Sequence, residues 1–555
     1  MRIALLAPLA VSLLAAPLAG QAVRSTATVT PEGIFVTEQS DLAAPKAGPT
    51  FASGTNPNPS AAGLRWTLPN PAGMPWISMR VATGNHGTFH WLGQDLNFRR
   101  VQLVASTDDQ APALPIYEDP YPAATLAKVE IEAADEAPTA VGVWFDTINS
   151  QSQVRLYSGF SATPTPFAGP VVREHDISDD GAVIALGFTD TNGNAAAAIV
   201  DQSFAPISTA VAPTGPFVQL DLSDDGSTLL MASATTNYVF DVATGNLVYQ
   251  DSSTVFHQAH VISGDGDTWG RGGFDVGLWK KIGGAYQRIL TYDDTSFISS
   301  SGYTAAGLSE DGSTFVVAAV DAANWLDFRV YCWSVGATST TLLWRYVHVS
   351  AGTFQDTPQQ VELSADGKTI AVASWGAQVN GHPEVLIFDR DVGIVPVGSI
   401  DTPGSAMDVD VSEDGQFVVA GTKAVHANTN GNGGEAYSFD LGGQGYRLRG
   451  TPSIGRSIQL EIGGNPGDPV LLWAGLSLLP SPVPVFPFRG TFALDPAFLF
   501  LLPTPVGTIP GSGVATLPVT IPFDPATVGA TVYTQVARTT GGGTIDNFLR
   551  LPITP

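Results

Sequence analysis

The sequence predicts an all-β protein that is built mainly from repeated four-stranded units. A short phrase of the form Ser-x-Asp-Gly recurs six times, and a short alternating apolar run lies on either side of each copy. No stretch of the repetitive region keeps an apolar period of 3.6 residues, so helix content should be very low. After Thr451 the phrase disappears and the composition changes, which predicts a second, smaller domain.

Composition limits the classes of function that are open to the chain. It has 555 residues, and 44% of them are hydrophobic, so a large core can be buried. The formal net charge is −26. Phosphate backbones and anionic lipid would repel such a chain, so we expect no nucleic-acid partner and no membrane role that depends on basic residues.

The N-terminus indicates export. A positively charged start precedes an apolar run from Ile3 to Leu18, and small residues follow at Gly20 and Ala22. This order is typical of a secretory signal peptide, here residues 1–22, cleaved after Ala22. The apolar run is short for a membrane anchor, and prolines interrupt it. We therefore expect a secreted or cell-surface protein without membrane insertion, with the periplasm as a further location.

Residues 23–71 are rich in Pro, Ala and Ser, which predicts an extended lead-in where Thr28 to Val36 can pair as a stray strand. The lone cysteine of the chain, Cys332, cannot form an intrachain disulfide. It lies in a strand-like run, so we predict that it is a buried small hydrophobe.

The repeated phrase is predicted to form a turn between two adjacent strands. Asp-Gly between alternating apolar runs is the strongest short-range hairpin signal, because Gly accepts the positive φ of a tight turn. The Ser and Asp oxygens are expected to bond amides of the same turn. The glycines of the six copies are Gly181, Gly226, Gly266, Gly312, Gly367 and Gly415.

Two degraded copies precede these six, near Gly87 and Ala137, which gives eight units between residues 72 and 447. Each unit divides into four strand-like pieces. In the fourth unit the pieces are 217–222, 227–234, 238–242 and 247–249. Four strands every 40–50 residues, roughly, are the signature of a β-propeller blade. We predict an eight-bladed β-propeller over 72–447, with seven blades as the alternative if the first unit lies outside the ring.

The Ser-x-Asp-Gly turn, followed by Thr and an aliphatic strand as in Thr369 to Ser374, resembles the WD40-like repeats of the TolB and YVTN propeller group. The stretch from Asp241 to Tyr249 is similar to the outer hairpin of that group. The resemblance covers roughly residues 72–447 and implies a propeller fold in an exported bacterial protein. It implies little about function, because propellers serve as enzymes, scaffolds and binding proteins.

The C-terminal region, residues 451–555, contains no lysine and is rich in proline. Short apolar runs between Pro or Gly breaks predict a C-terminal β-sandwich. The runs are 457–462, 470–476, 490–494, 514–521, 530–537 and 548–553. The region loosely resembles the small C-terminal β-domains of exported bacterial surface proteins, a resemblance that supplies no binding residues.

No catalytic, cofactor or metal motif is complete in the sequence. Sialidase and quinoprotein repeat motifs are each matched only in part. His257 and His260 would point to opposite faces of a strand and so could not share a metal. The Asp190 loop resembles the start of a calcium loop, although Asn-Gly turn chemistry also explains it. We therefore predict no catalytic residues, no cofactor and no metal, while a dispersed Ser-His-Asp set stays open.

The loops between second and third strands lengthen in the last three units. In a four-stranded meander they lie opposite the Ser-x-Asp-Gly turns, whose uniformly short face should be plain. Long loops on a rigid scaffold are where binding usually occurs. The candidate ligand-binding residues are Asn324, Trp325, Asp327, Trp375, Asn380, His382, His426, Asn428 and Asn430.

These observations favour an exported, non-catalytic β-propeller that presents a binding face to a protein or glycan at the cell surface. We expect it to be a monomer. The alternative is an extracellular hydrolase or lactonase-like enzyme that acts at the channel mouth. A hydrolase would gather carboxylates and histidines there, whereas a binding module would show an aromatic rim without perturbed carboxylates.

Overall fold

A computed structural model of the chain describes a defined set of residues. They are 24–30, 33–39, 64–69, 79–84, 89–94, 100–105, 115, 117–120, 127–137, 139–146, 151–158, 163–233, 235–252, 257–273, 275–294, 302–321, 325–351, 355–377, 381–413, 415, 417–426, 434–441, 446–449, 452–463, 467–484, 491–510, 514–538 and 544–553.

The described residues confirm the all-β prediction. Their helical segments are two single 3-10 turns, Pro496–Phe498 and Pro525–Thr527, and all other elements are strands. Within the same residues, no helix has the length and apolar character that crossing a bilayer requires.

The strands of the N-terminal part begin with a hairpin, β1 (Arg24–Thr30) and β2 (Gly33–Gln39), and a single strand, β3 (Leu64–Pro69). Eight four-stranded antiparallel sheets follow. Sheet 1 contains β4 (Met79–Gly84), β5 (Phe89–Gln94), β6 (Arg100–Ala105) and β7 (Tyr117–Pro120). Sheet 2 contains β8 (Ala127–Ala133), β9 (Thr139–Asp146), β10 (Gln151–Ser158) and β11 (Thr165–Phe167). Sheet 3 contains β12 (Glu174–Ile177), β13 (Val183–Thr189), β14 (Ala195–Asp201) and β15 (Pro206–Val211).

The next sheets repeat this pattern. Sheet 4 contains β16 (Gln219–Leu222), β17 (Thr228–Ala232), β18 (Thr236–Asp241) and β19 (Leu247–Ser252). Sheet 5 contains β20 (His257–Ile262), β21 (Thr268–Gly273), β22 (Val276–Ile282) and β23 (Ala285–Tyr292). Sheet 6 contains β24 (Gly302–Leu308), β25 (Thr314–Val320), β26 (Phe328–Val335) and β27 (Thr340–His348). Sheet 7 contains β28 (Pro358–Leu363), β29 (Thr369–Ser374), β30 (Val385–Asp389) and β31 (Gly398–Ile400).

Sheet 8 is completed by a strand from the other end of the region. Its strands β32 (Ala406–Val411), β33 (Phe417–Thr422) and β34 (Glu435–Asp440) follow in sequence, and β3 pairs with β34 as the fourth strand. The strand Leu64–Pro69, which we placed in the lead-in, therefore belongs to the repetitive region. The range Thr28 to Val36, which we predicted as one stray strand, instead takes in the end of β1 and the start of β2, and these two strands pair with each other.

The sheets pack on one another in sequence order through their first strands. β4 contacts β8, each later first strand contacts the next, and β32 contacts β4. Buried apolar clusters lie between consecutive sheets. Trp91 and Trp144, for example, join sheets 1 and 2. Trp66, Val81 and Val419 join β3, sheet 1 and sheet 8.

Carboxylates on first strands also link neighbouring sheets. Asp176 accepts the backbone N–H of Leu222 at 2.6 Å. Asp221 accepts that of Ile262 at 2.7 Å. Asp408 of sheet 8 accepts the N–H of Val81 in sheet 1 at 3.0 Å, so the last sheet is hydrogen-bonded to the first. Each contact fixes the offset between two sheets.

A second link between sheets occurs twice on outer strands. Asp294, just after sheet 5, accepts from Arg329 Nη1 at 2.7 Å and from Tyr331 Oη at 2.8 Å in sheet 6. Asp119 of sheet 1 accepts from Arg155 and Tyr157 of sheet 2 in the same way. The two sites share an Arg-x-Tyr pattern on a third strand, so charge-assisted hydrogen bonds hold the outer edges of these sheets together.

The Ser-x-Asp-Gly turns have the predicted chemistry. Ser178 Oγ donates to Asp180 Oδ1 at 2.8 Å and accepts the N–H of Val183 at 3.0 Å. Gly181 has a φ of 72°, which glycine adopts without steric cost. The same bonds recur at the turns that begin with Ser223, Ser263 and Ser364. The serine is buried and bridges the two strands that the turn connects.

The C-terminal part is a separate set of strands, β35 (Tyr446–Arg449), β36 (Ser457–Gly463), β37 (Pro469–Gly475), β38 (Leu478–Pro484), β39 (Thr491–Leu494), β40 (Leu499–Thr508), β41 (Val514–Thr520), β42 (Thr531–Arg538) and β43 (Thr544–Pro552). They form sheets in the orders β35-β36-β41, β40-β37-β42-β43 and β38-β39. A common core joins the first two sheets, with Leu460, Leu472 and Val536 buried in it.

Two C-terminal strands, β38 and β40, escape sequence-based prediction because both contain prolines. Pro503 and Pro505 lie within β40, which is an edge strand of its sheet. Proline lacks an N–H and is tolerated at an edge, where one side of the strand needs no partner. Cys332 is buried as predicted, and burial raises the pKa of its thiol to about 12.

Candidate functional site

The described parts of the long loops of sheets 6, 7 and 8 lie at the end of the strands opposite the Ser-x-Asp-Gly turns. They connect β25 to β26, β29 to β30 and β33 to β34, and the connections β27 to β28 and β31 to β32 reach the same end. The side chains that meet there form what we call the loop-face site. Its members are Trp325, His348, Asp356, Trp375, His382, Glu384, Lys423 and His426.

Trp325 is held in an unusual backbone conformation. Its N–H donates to the carbonyl oxygen of Asp321 at 2.6 Å, and its own carbonyl accepts the N–H of Asp356 at 2.8 Å. Its φ is 56°. The left-handed region costs a non-glycine residue about 1–2 kcal/mol, so the surrounding hydrogen bonds must impose it. Such residues are frequent at binding sites.

A buried histidine–carboxylate pair lies beneath this loop. His348 Nε2 and Asp356 Oδ2 are 3.1 Å apart, and both side chains are fully buried. Asp356 Oδ1 accepts the N–H of Gly376 at 2.9 Å, which ties the pair to sheet 7. Burial works to raise the pKa of Asp356, but the His348 charge and these hydrogen bonds bring it below its ordinary value. The carboxylate is therefore ionised at neutral pH.

Trp375 follows β29 and is half-buried. Its backbone N–H donates to the carbonyl of Thr357 at 3.0 Å. Lys423 Nζ lies 5.9 Å from the centre of the indole ring, a distance at which the cation is attracted to the ring face. Burial lowers the pKa of Lys423 to about 8. The indole Nε1–H is buried and donates no hydrogen bond to the described residues.

Glu384 and His426 form a second pair, between sheets 7 and 8. Glu384 Oε1 is 3.0 Å from His426 Nε2, and the glutamate is fully buried while 13% of the histidine side chain is exposed. The other oxygen, Oε2, accepts the N–H of Thr402 at 2.6 Å. Burial raises the pKa of Glu384 to about 7, although the hydrogen bonds from His426 and Thr402 oppose this rise.

His382 lies next to the first pair, with its ring centre 6.0 Å from that of His348. Burial lowers the pKa of His382, and the nearby His348 charge lowers it further. Asp327 Oδ1 accepts the N–H of Ser350 at 3.1 Å and so fixes the entry into the connection that carries Asp356. Polar and aromatic groups from three consecutive sheets thus form one continuous network.

The predicted site residues divide into two groups. Trp325, Trp375, His382 and His426 belong to the loop-face site, and Asp327 supports it. Asn324, Asn380, Asn428 and Asn430 lie outside the described residues. Both tryptophans are half-buried rather than fully exposed. Whether any of these residues binds a ligand stays a prediction.

Sequence reasoning missed His348, Asp356, Glu384 and Lys423. Asp356 lies on a connection between sheets, a class of segment that the topology places at this end. The other three lie at or beside strand termini, where one sequence gives no sign of which residues meet. A usable signal was the concentration of His and acidic residues near the ends of β27, β30 and β33.

A second polar region occupies the opposite end and the interior of the ring of first strands. It has two levels. The inner tier consists of first-strand carboxylates two residues before the turn serine or its equivalent, Glu132, Asp176, Asp221, Glu362 and Asp410. The turn tier occupies the variable x position of the turns, Asp135, Asp179, Asp224, Glu310 and Glu413. We expected the end of the strands with the short turns to carry no functional side chains. It instead holds a set of carboxylates, because the side chains at the x position point inward.

Backbone hydrogen bonds link the turns from sheet to sheet. The N–H of Asp179 donates to the carbonyl of Asp224 at 2.9 Å, and that of Gly264 donates to Glu310 at 2.9 Å. The N–H of Ala365 donates to Glu413 at 3.0 Å. The bonds hold the x positions close together, which concentrates their carboxylates in one small region.

Burial, together with crowding, raises the pKa values of several carboxyls in each tier. Burial, and then neighbouring carboxylates, raise the pKa of Asp179 to about 7, that of Asp224 to about 8 and that of Glu310 to about 10. Glu132 is raised well above its ordinary pKa by burial and then by charges that include Glu362. Glu132 and Glu362 belong to sheets 2 and 7, so carboxylates of sheets that are not neighbours act on one another.

Oxygens of Asp179, Asp224 and Glu310 lie within 4.8 Å of one another. Acidic groups gather in this way in many proteins without a cation, so the grouping alone makes no metal site, and the absence of a metal stays a prediction. In the Asp190 loop, Asp190 Oδ1 accepts the N–H groups of Asn192 and Asn194, each at 2.8 Å. This is the turn chemistry that we gave as the alternative to a calcium loop.

No protein-family model matches the chain, and no curated protein matches it. The resemblance to WD40-like repeats therefore remains a prediction from the turn motif.

Proposed function

We propose that the chain is an eight-bladed β-propeller of the WD40-like type, followed by a β-sandwich. Eight four-stranded sheets in the described residues, the cyclic contacts of their first strands and the pairing of β3 with sheet 8 support this proposal. Closing the last sheet with an N-terminal strand ties the two ends of the ring together. The common core of two C-terminal sheets supports the sandwich.

The function that we propose is binding, without catalysis, of a protein or glycan through the loop-face site. The protein is exported and acts outside the cytoplasm. The observation that carries this proposal is the strained Trp325, whose carbonyl accepts the N–H of Asp356, while the next residue, Thr357, accepts the N–H of the half-buried Trp375. Tryptophans in fixed positions lose little entropy on binding and are common among binding hot spots.

A hydrolase is the second candidate, and one observation favours it. Asp356 accepts the N–H of Gly376, Glu384 lies where a Cβ on Gly376 would stand, and the pKa values of the two carboxyls move in opposite directions. Carboxyl pairs of this kind serve as acid and base in enzymes. Both side chains are fully buried, however, so neither reaches a substrate in this conformation. Asp356 and Glu384 are better placed to hold His348 and His426 in position than to act on a substrate.

The substitution Trp325→Gly tests the binding function. Glycine adopts a φ of 56° without cost, so the variant should keep the stability of the wild type or gain about 1 kcal/mol. Binding to the ligands found on a glycan and protein array should be lost, because the indole is removed. Unchanged binding would contradict the proposal.

Phe204→Gly is the matched control, because Phe204 is the other described non-glycine residue with positive φ. It lies in sheet 3, far along the ring from the loop-face site. The ring of Phe204 packs 5.1 Å from that of Phe167, so this variant should lose stability through lost packing, yet it should keep full binding. Loss of binding in both variants would mean that glycine loosens the fold as a whole.

A further inference from the structure

The two larger C-terminal sheets close on one side and stay open on the other. On the closed side β35 contacts β43, and both strands contain charged residues, as Arg449 and Arg550 illustrate. The remaining edge strands are β40 and β41, and both border the same core, since Leu501 and Leu517 pack against it. In the part of the chain that the structure describes, no strand pairs with the outer edge of β40 or of β41. We call these two strands the open edge.

The open edge contains no charged residue. Asp495 and Asp524 flank a stretch, residues 496–523, that has no Asp, Glu, Lys or Arg, and both strands lie within it. Soluble proteins normally protect a free edge strand with charges or with proline. Pro503 and Pro505 protect the second half of β40, because proline donates no backbone hydrogen bond. The first half, residues 499–502, has neither kind of protection.

An apolar patch lies on that unprotected half. Phe498, Phe500, Leu502 and Leu476 are each more than half exposed. Phe500 and Leu502 are two residues apart in a strand, so their side chains lie on the same face. The N–H of Leu476 donates to the carbonyl of Phe498 at 3.2 Å, which places Leu476 beside the start of the strand. We call these four side chains the edge patch.

The edge patch has the size of an interaction site. A fully buried aromatic side chain covers about 150–250 Å², so the two phenylalanines alone offer roughly 200 Å² of exposed surface. With the two leucines the patch reaches roughly 300–400 Å², and patches of this size are often functional. A standard interface takes about 800 Å² from each partner, so the edge patch would fill its apolar centre, with uncharged residues of β40 and β41 around it.

Charge indicates that a second copy of the chain fits this surface. Residues 451–555 contain four Arg and five acidic residues, a net charge of −1, so the preceding residues carry −25 of the total of −26. Two rings would repel each other, whereas two C-terminal parts can approach without that cost. The surface is also complementary to itself, because identical strands can pair antiparallel about a two-fold axis.

We propose that the protein forms a two-fold dimer in which β40 of one chain lies antiparallel to β40 of the other and the two edge patches bury each other. Residues 499–502 make the backbone pairing, and Pro503 and Pro505 limit its length. This dimer differs from the monomer that we expected from the sequence. It does not involve the loop-face site, so it stands or falls separately from the proposed binding function.

Sedimentation velocity of the full chain between about 1 and 100 μM tests the proposal, since a dimer forms by mass action. We expect a species with twice the mass of one chain. Phe500→Glu places a charge in the apolar centre of the interface and should weaken the dimer at least about tenfold. Leu502→Glu should have the same effect. Both side chains are exposed in the single chain, so both variants should keep the circular dichroism of the wild type.

Val395→Glu is the matched control, because Val395 of sheet 7 is 60% exposed, as is Phe500. This variant should remain a dimer, and its dissociation would place the interface on the ring and overturn the proposal. A wild type that stays monomeric, or a dimer that Phe500→Glu and Leu502→Glu both leave intact, would also overturn it. So would a monomer that sediments with phosphatidylcholine vesicles and loses this property in Phe500→Glu, because the edge patch would then contact a membrane.

Discussion

The loop-face site and the turn tier lie at opposite ends of the same sheets and treat buried charge in opposite ways. At the loop face each buried carboxylate has a histidine partner, Asp356 with His348 and Glu384 with His426. In the turn tier, carboxylates face one another, and burial and mutual repulsion raise their pKa values. The repeated turns thus bring carboxylates next to one another, whereas the loops pair each buried carboxylate with a histidine.

The largest expected effect is on the pH dependence of stability, which the two tiers dominate. A carboxyl whose pKa is raised in the folded state stabilises the fold when protonated, and this contribution is lost as pH rises through the folded pKa. For Asp179, Asp224 and Glu310 the loss extends from about pH 4 to between about 7 and 10. Each group contributes about 1.4 kcal/mol per pH unit within its own window.

The melting temperature should therefore be several degrees higher at pH 5 than at pH 8, at constant ionic strength. Differential scanning calorimetry measures it directly. A melting temperature that stays constant or rises with pH would show that the carboxyls of the two tiers ionise in the folded protein without loss of stability.

The next largest effect concerns the paired carboxylate. Asp356→Ala leaves His348 buried without its partner and should destabilise the protein by about 3–5 kcal/mol in denaturant unfolding. Asp391→Ala, at a carboxylate that is 61% exposed, is the control and should change stability by less than about 0.5 kcal/mol. Equal effects from the two substitutions would remove the contrast between paired and surface carboxylates.

The turn tier should respond to truncation in the opposite direction. Asp224→Ala removes a repelled carboxylate and should stabilise the protein at pH 8 by about 1–3 kcal/mol. Sheet 7 already has Ala365 at the equivalent position, so alanine fits the turn. At about pH 3, below the pKa of this carboxyl in both the folded and the unfolded chain, the gain should nearly vanish.

The adjacent Asp225 is the control for that substitution. Asp225 Oδ1 accepts from Ser223 Oγ at 2.7 Å and from the N–H of Ser227 at 2.8 Å. Asp225→Ala should therefore cost about 1–2 kcal/mol at pH 8. If both alanine variants lose stability, the x-position carboxylate is bound rather than repelled.

Much of the fold was predictable because its determinants are local. The Ser, Asp and Gly of each turn bond one another, so four strands per unit could be read from the sequence. The pieces predicted for the fourth unit correspond to β16, β17, β18 and β19. Pairing of β3 with β34 could not be predicted, because it joins residues far apart in the chain and Leu64–Pro69 has no motif.

The candidate site was less predictable. Loop length indicated Trp325 and Trp375, and the order of the strands placed them on one face. Asp356 and Glu384 could not be identified, since their role depends on His348 and His426, which reach them only through packing. The turn tier was overlooked because the x position varies, and its common inward direction appears only when the turns are assembled.

The most direct test of the central claim is a comparison of ligand binding by Trp375→Ala and Asp224→Ala. Both variants and the wild type would be titrated at pH 7 with a ligand that the wild type binds on the glycan and protein array. The loop-face site predicts that Trp375→Ala loses binding and keeps its melting temperature, while Asp224→Ala binds as the wild type does. Loss of binding in Asp224→Ala with full binding in Trp375→Ala would place the function at the acidic end of the ring and contradict the account.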